Sequence, residues 1–224
     1  MTSVDSPPPD RTREDDLCAI PGGRAAKLAD VTYAYSTPPT IVAGTLAAGP
    51  QPVLSAPGDL LLRPWEAADA GVFLDAYSDP EIRRWHTRRP SSAEQVDEWF
   101  DQYRRDWAQE RGGHWAVTRA GGVVLGRIAL GGFDFADGVA GCAYWVLPAA
   151  RGAGVASRAL TALSDWALGP AGFHRLELDH STGNQASCRV ATGSGFRLEG
   201  TKRSAAVHAD GRHDMHLHAR VRGD

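Results

Sequence analysis

Residues 146–156 of the chain read Val146-Leu147-Pro148-Ala149-Ala150-Arg151-Gly152-Ala153-Gly154-Val155-Ala156. This stretch joins an apolar, strand-like run to a segment whose apolar residues recur at helical spacing. Gly152 and Gly154 let the main chain bend sharply and approach a ligand closely. The first amides of a helix have no partner within it, so they favour an anion together with the helix dipole, and Arg151 can add a full charge. The stretch therefore predicts a strand-to-helix turn that binds phosphate or pyrophosphate.

The same residues allow other interpretations of this turn. The two glycines can serve only to permit a sharp turn, with Arg151 as a solvated surface charge. A dinucleotide-binding fingerprint is not supported, because Ser157 stands where a third Gly or Ala is needed and Asp179 is not well placed for the ribose contact. A Walker loop is excluded because the chain has no Gly-Lys-Ser/Thr.

The segments around the turn predict an α+β domain. Apolar alternation predicts strands and a 3.6-residue period predicts helices, and a capping box is predicted at residues 91–94. The predicted strands are 60–65, 114–119, 123–133, 139–147, 174–180 and 213–221, and the predicted helices are 66–77, 91–107, one from the turn to Leu168, and 185–192. The resulting order is β-α-α-β-β-β-α-β-α-β, antiparallel except for one parallel β-α-β crossover.

Composition divides the chain near Gly58. Nine of the 14 prolines precede this residue, whereas all seven tryptophans and all six phenylalanines follow it. We therefore expect a Pro-rich extension over residues 1–57, disordered or loosely packed apart from strand-like runs at 31–35 and 40–42, and a folded domain over residues 58–224.

Composition also excludes several classes of protein. The formal charge of -3 is not that of a sequence-independent nucleic-acid binder, and no apolar run could span a bilayer. Cys18, Cys142 and Cys188 are too scattered for a disulfide framework or a zinc motif, and no export signal precedes them. We expect a cytoplasmic protein without nucleic-acid or membrane partners, as a monomer or homodimer.

A resemblance to a known family rests on several motifs in order. Residues 144–148 (Tyr-Trp-Val-Leu-Pro) and 151–156 (Arg-Gly-Ala-Gly-Val-Ala) resemble the Arg/Gln-x-x-Gly-x-Gly/Ala signature of the GCN5-related N-acetyltransferase (GNAT) superfamily. A helix, a strand, Asn184-Gln185-Ala186-Ser187 and Gly195-Phe196 follow at similar spacing. With Leu62-Arg63-Pro64-Trp65 as the opening strand, residues 59–221 are similar to the branch that acetylates N-terminal amines of ribosomal proteins (RimJ/RimL-type). The resemblance implies a central mixed sheet flanked by helices.

The same resemblance implies how acetyl-CoA, used as a co-substrate, would bind. Its diphosphate would lie on the amides of the turn, and its pantetheine arm would pair with the strand before the turn. Asn184 would hydrogen-bond the arm, although its side chain can equally cap the helix that follows. The implied cofactor-binding residues are Trp145, Val146, Leu147, Arg151, Gly152, Ala153, Gly154, Val155, Ala156 and Asn184.

Catalytic candidates are fewer, because the carboxylates that related enzymes use are replaced here by Gly141 and Ala206, and the usual general-acid tyrosine by Ala191. By resemblance, Ser187 would lie near the thioester sulfur and assist the departing thiolate; alternatively it is an exposed helix serine. His180, at the end of its strand, is the candidate base, with a reference pKa near 6.5. A purely structural histidine is the competing interpretation.

The resemblance places the acceptor-binding loop after residue 84, where Trp85 and His86 would bind the acceptor together with Tyr144. A plain solvated loop is the alternative. No metal site is predicted, because no acidic or cysteine partner completes a set from the late histidines His208, His213, His216 and His218. The sequence thus predicts direct acetyl transfer to a primary amine, most simply a protein N terminus. A small-amine or antibiotic acetyltransferase and an inactive CoA-binding sensor are the alternatives.

Overall fold

An eight-stranded mixed sheet in the order β1-β2-β3-β4-β5-β6-β8-β7 organises the described chain, residues 37–119 and 121–224 of a computed structural model. The strands are β1 (Leu54–Ala56), β2 (Leu60–Pro64), β3 (Gly112–Arg119), β4 (Val124–Asp134), β5 (Val139–Val146), β6 (Arg175–Ser181), β7 (Arg197–His208) and β8 (Gly211–Val221). The helices are α1 (Ala70–Ala76), α2 (Pro80–Trp85), α3 (Ala93–Ala108), α4 (Val155–Leu168) and α5 (Gln185–Gly193), with short 3₁₀ turns at Ala67–Asp69 and Pro148–Ala150.

Strand direction confirms the predicted α+β class. Within the described residues every neighbouring pair of strands is antiparallel except β5 and β6, which run parallel because α4 connects them. The β5–β6 pairing covers only Val139–Gly141 against Arg175–Glu177, and no later pair of these strands follows in the described chain. The ends of the two strands therefore separate, which opens a gap in the middle of the sheet.

Alternation along the strands builds a core on each face of the sheet. Trp115 points to the side covered by α4, where it lies with the fully buried Leu160 and Leu163. Its neighbour Ala116 points to the opposite side, under the aromatic cluster that contains Phe73 of α1 and Phe100 of α3. Each core removes apolar surface from water, at about 25 cal/mol per Å². Packing on both faces of the sheet therefore fixes the positions of β5 and β6, the strands that border the gap.

Residues 37–57, which composition assigned to a loosely packed extension, instead contact the domain. Strand β1 pairs with β2, and Ile41 and Leu46 are buried in the α4-side core. The indole Nε1 of Trp107 donates to the Gly49 carbonyl at 2.9 Å, and that of Trp115 donates to the Pro52 carbonyl at 2.7 Å. A proline lacks an N–H but keeps its carbonyl, so a Pro-rich segment can still pack by accepting hydrogen bonds. The strand-like run at 31–35 lies outside the described residues.

Two local predictions differ from the structure. The cap of α3 is shifted by one residue, since Ser92 Oγ accepts from the Gln95 amide at 3.3 Å and Gln95 Oε1 accepts from the Ser91 amide at 2.7 Å. The single predicted last strand is one half of a hairpin, because β7 precedes β8. Strand β7 is largely exposed and lies at the sheet edge with two register shifts, so it lacks the apolar alternation that marks a strand in sequence.

Candidate active site

A cleft of about 490 Å³ occupies the gap where β5 and β6 separate. Its walls come from the end of β5, the turn before α4, the start of α5 and helix α2. Most of the residues predicted for the site line it: Trp85, His86, Tyr144, Trp145, Val146, Arg151, Gly152, Gly154, Val155, Ala156, Asn184 and Ser187. Three predicted residues, Leu147, Ala153 and His180, do not.

The turn before α4 presents main-chain amides to the cleft. Gly154 caps the helix in the left-handed region at φ 70°, and Gly152 has a φ of 77°. These are conformations that glycine adopts without strain. The first bond into the helix is Arg158 N to Gly154 O at 3.1 Å, and the amides of residues 152–157 donate no hydrogen bond to any described residue. Amide donors of this kind at a helix N terminus are suited to binding an anion.

Arg151 is not the free charge that its position in the sequence predicts. Its Nη2 lies 2.5 Å from Asp79 Oδ1, and its Nε donates to the Val146 carbonyl at 3.2 Å. The guanidinium holds the pKa of Asp79 below its usual value. Asp79 also caps α2, because its Oδ1 accepts from the Ile82 amide at 2.9 Å. One carboxylate thus connects the acceptor-side helix α2 to the turn.

Arg158 contributes to the turn although the sequence analysis did not single it out. Its Nη2 donates to the Ala153 carbonyl at 2.8 Å, its Nε to the Gly154 carbonyl at 3.3 Å and its Nη1 to the Pro57 carbonyl at 2.9 Å. The Arg158 guanidinium therefore binds the carbonyls of the turn, on the side opposite to the free amides of the same turn. Sequence gave no indication of this role, because Pro57 lies 101 residues away.

The Ser187 hydroxyl lies in a hydrogen bond at the closed end of the cleft. Its Oγ is 2.8 Å from the Tyr144 hydroxyl, and the residue is only 9% exposed, so it is not the exposed helix serine of the alternative interpretation. Burial raises the pKa of Tyr144 to about 12, which keeps the phenol protonated at neutral pH. The Asn184 Oδ1 accepts from the Ser187 amide at 3.0 Å and caps α5. Asn184 thus has the capping role and also faces the cleft.

His180 lies under α5 rather than in the cleft wall. It is 5% exposed, its Nδ1 is 2.8 Å from the Ser181 carbonyl, and its ring stacks on that of His218 with centroids 5.1 Å apart. Burial lowers the pKa of His180. From this position it does not face an acceptor in the cleft, so the prediction of His180 as the base does not fit the geometry.

His86 is the histidine that does face the cleft. Burial is the main cause that lowers its pKa to about 4, with Arg127 adding to the effect and a hydrogen bond to the Tyr144 backbone opposing it. Its imidazole is therefore neutral at physiological pH and can accept a proton. Next to it, Trp85 is held by the Arg84 guanidinium, 4.7 Å from the ring centroid, and by the ring of His208 at 5.7 Å.

The main-chain groups of Leu147, predicted to contact acetyl-CoA, already have partners within the protein. Its amide donates to the Leu125 carbonyl at 2.8 Å, and its carbonyl accepts from the Ala150 amide at 2.9 Å. Both main-chain groups are thus already paired within the protein. A ligand that lies along β5 must find its partners before this residue, in the unpaired part of the strand that follows Gly141.

Comparison with known proteins agrees with this arrangement. The family model for the acetyltransferase (GNAT) domain matches residues 59–197. The chain therefore belongs to the GNAT family and is an acyl-CoA-dependent N-acetyltransferase with acetyl-CoA as co-substrate. No curated protein sequence matches the chain significantly. Among the described residues, none of the helices combines the length and apolar character that a bilayer crossing requires.

Solved structures of other acetyltransferases have the same fold. The chain is similar to RimL, a ribosomal L7/L12 alpha-N-protein acetyltransferase in complex with coenzyme A, with 18% identity, a TM-score of 0.71, and coverage of 76% of this chain and 98% of that one. It is similar to Mycobacterium smegmatis RimJ in complex with CoA-disulfide, with 22% identity, a TM-score of 0.69, and coverage of 76% of this chain and 86% of that one. It is also similar to the microcin C7 self-immunity acetyltransferase MccE in complex with acetyl-CoA and AMP, with 16% identity, a TM-score of 0.66, and coverage of 73% of this chain and 93% of that one.

Proposed function

We propose that this protein transfers the acetyl group of acetyl-CoA directly to the α-amine at the N terminus of a peptide or protein. The observation that carries the proposal is the set of hydrogen-bonding groups that border the cleft. The free amides of the turn, the Tyr144–Ser187 hydroxyl pair and the part of β5 that does not pair with β6 border the same cleft. The motif order and the similarity of the fold to RimL and RimJ support an α-amine as the acceptor.

Binding of acetyl-CoA would use groups of the main chain. The amides of residues 152–157 would hold the diphosphate, and the open edge of β5 would receive the pantetheine arm. Neither requires Leu147, and Arg151 would contribute through its position beside Asp79 rather than as a free charge. Because amides supply the donors, affinity depends on the shape of the turn and less on any one side chain.

The chemical step moves one proton from nitrogen to sulfur. The free amine attacks the thioester carbon, a C–N bond forms, the C–S bond breaks, and the thiolate must gain the proton that the amine loses. Tyr144, protonated with a pKa of about 12, can donate through the Ser187 hydroxyl 2.8 Å away. His86, neutral above about pH 4 and part of the cleft lining, can accept a hydrogen bond from the attacking amine and relay its proton to solvent, because so low a pKa makes the imidazole too weak a base to keep that proton. No residue of the chain forms a covalent intermediate.

Hydroxyl-deletion variants test this assignment. We expect Ser187→Ala and Tyr144→Phe to lower kcat by about 100- to 10,000-fold with little change in the Kd of acetyl-CoA, the range typical of general acid catalysis. Tyr103→Phe is the matched control, because that ring stacks on His114 with centroids 3.8 Å apart and does not line the cleft. Release of free CoA measures all three variants. Equal kcat for Tyr144→Phe and Tyr103→Phe would remove the hydroxyl pair from the mechanism.

His86 is tested separately. His86→Ala should lower kcat, and added imidazole should restore part of the activity because a small base can occupy the space that the ring leaves. A variant with full activity, or one that imidazole does not rescue, would leave proton removal to water.

The acceptor is a second question with its own test. The fold is also similar to that of MccE, and among the described residues that line the cleft Glu81 is the single carboxylate, which also fits a small cationic amine. A panel of N-terminal peptides and small amines, scored by CoA release, separates the two. Activity confined to small amines would overturn the α-amine assignment. Binding of acetyl-CoA without turnover on any acceptor would favour a sensor.

A further inference from the structure

Four side chains with metal-binding atoms, from β6, α5 and β8, converge at α5. His180 on β6 lies directly opposite His216 on β8, and His218 lies two residues further along the same face of β8. Cys188 on α5 covers them, with its Sγ 3.9 Å from His218 Nε2. One donor atom from each of the four residues lies within 4.8 Å of every other.

The nitrogen atoms of this cluster have few partners. His180 Nε2, His216 Nδ1 and His218 Nδ1 are buried and make no hydrogen bond with any described residue. Such atoms are costly to bury unless something satisfies them. His180 and His218 are only 5% and 1% exposed, so solvent has little access to their rings.

The one partner that His180 does have is the kind found at metal sites. Its Nδ1 lies 2.8 Å from the Ser181 carbonyl, so this nitrogen carries the proton and Nε2 keeps its lone pair toward the cluster. A ligating histidine commonly donates its second N–H to a backbone carbonyl, which fixes both tautomer and orientation.

We propose that His180, Cys188, His216 and His218 bind one zinc ion. Three imidazoles and one thiolate form a donor set that zinc takes up in tetrahedral geometry. Bonds of about 2.0–2.1 Å to nitrogen and 2.3 Å to sulfur place the donors about 3.3–3.6 Å apart. The observed spread of up to 4.8 Å closes with side-chain movements of about 1 Å. Binding replaces the thiol proton of Cys188, which leaves to solvent as the Zn–S bond forms.

The ion would have a structural role. Because its ligands come from β6, α5 and β8, it would tie the start of α5 to the two strands beneath. Acetyl transfer itself does not use it, since neither the hydroxyl pair nor the turn is among the ligands. The sequence analysis missed the site because the strand pairing that brings His180 opposite His216 is not visible in sequence.

Cobalt substitution tests the proposal without a variant. The untagged full chain is freed of metal with a chelator and titrated with Co²⁺. We expect one Co²⁺ per chain, with intense thiolate-to-cobalt absorption in the near ultraviolet and tetrahedral visible bands, both removed by adding one equivalent of Zn²⁺. No Co²⁺ or Zn²⁺ binding to the folded wild type would overturn the proposal.

Variants locate the ligands. Cys188→Ser should lose the thiolate absorption, whereas Cys142→Ser and Cys18→Ser should keep it. His218→Asn should weaken Zn²⁺ binding at least about tenfold. His213→Asn serves as its matched control, because His213 belongs to a neighbouring group in which its Nε2 lies 2.9 Å from Asp210 Oδ1. Retention of the absorption in Cys188→Ser, or loss of binding in His213→Asn with retention in His218→Asn, would place the metal elsewhere.

Discussion

Replacing Gly126 by alanine should deform the strand that borders the cleft. Gly126 on β4 lies opposite Val146 at the end of β5. A Cβ added at Gly126 would overlap the Trp145 carbonyl oxygen and lie 3.2 Å from Val146 Cα. Both are main-chain atoms, so no side-chain rotation can relieve the overlap. The end of β5 must move away by several tenths of an ångström, and it leads directly into the turn that presents the free amides.

The size of the effect follows from the kind of contact. Forcing an extra carbon into a packed site costs about 1–3 kcal/mol, which lowers Tm by about 3–9 °C for a chain of this length. We also expect acetyl-CoA to bind about tenfold more weakly, which corresponds to about 1.4 kcal/mol. Gly141→Ala is the matched control on the partner strand, because its Cβ would meet the Gly131 carbonyl at an ordinary 3.6 Å. That variant should be as stable as the wild type or slightly more stable, by about 0.4–1 kcal/mol.

Two measurements decide the outcome. Urea denaturation gives the free energy of unfolding of both variants and of the wild type, and calorimetric titration gives the Kd of acetyl-CoA. If Gly126→Ala matches Gly141→Ala in both quantities, the strand edge tolerates the displacement, and the dependence of acetyl-CoA binding on the shape of β5 is refuted.

Three further changes test other parts of the structure. Asp79 has a lowered pKa because of Arg151, so its carboxylate stabilises the fold above about pH 4, and this contribution is lost as pH falls through the lower folded pKa. The urea midpoint of Asp79→Asn should therefore fall less between pH 7 and pH 3 than that of the wild type. An identical fall would contradict the ion pair. Arg158→Gln should weaken acetyl-CoA binding in calorimetric titrations, because the carbonyls of the turn lose two hydrogen bonds and the Pro57 carbonyl loses a third. An unchanged Kd would limit Arg158 to packing. Ile128 is fully buried in the α4-side core. Ile128→Val should lower the free energy of unfolding by about 0.5–1.5 kcal/mol without changing the Kd of acetyl-CoA. A changed Kd would show that this core shapes the cleft.

The parts of the fold that sequence predicted are those set by local rules. The apolar period of α3 and α4 and the two glycines of the turn depend on neighbours within a few residues, and the structure has each of them where it was predicted. The family resemblance added the placement of the cleft. Trp85, His86, Ser187 and Asn184, predicted from separate stretches of the chain, meet there.

What sequence could not predict depends on strand register and on distant partners. The Tyr144–Ser187 bond joins residues 43 apart, and the bonds of Arg158 and of Trp115 reach back to the segment before residue 58. Proline content marked that segment as loose, but its carbonyls are the acceptors that these side chains need. Apolar periodicity shows which face of a helix or strand is apolar. It does not show which group of another element will contact that face.

Helix α5 shows how register separates two functions on neighbouring residues. Successive helix positions point about 100° apart, so Ser187 reaches the Tyr144 hydroxyl while the adjacent Cys188 reaches His218. Asn184 fixes the start of the helix by capping it. A change at Cys188 can reach the hydroxyl pair by moving the helix or through its charge, because Cys188 is also one of the groups that raise the pKa of Tyr144. Cys188→Ser should reduce thermal stability in the presence of Zn²⁺, relative to the wild type, while leaving the kcat of the folded enzyme close to normal. A large loss of kcat at temperatures where the variant is fully folded would mean that the two faces of α5 are not independent.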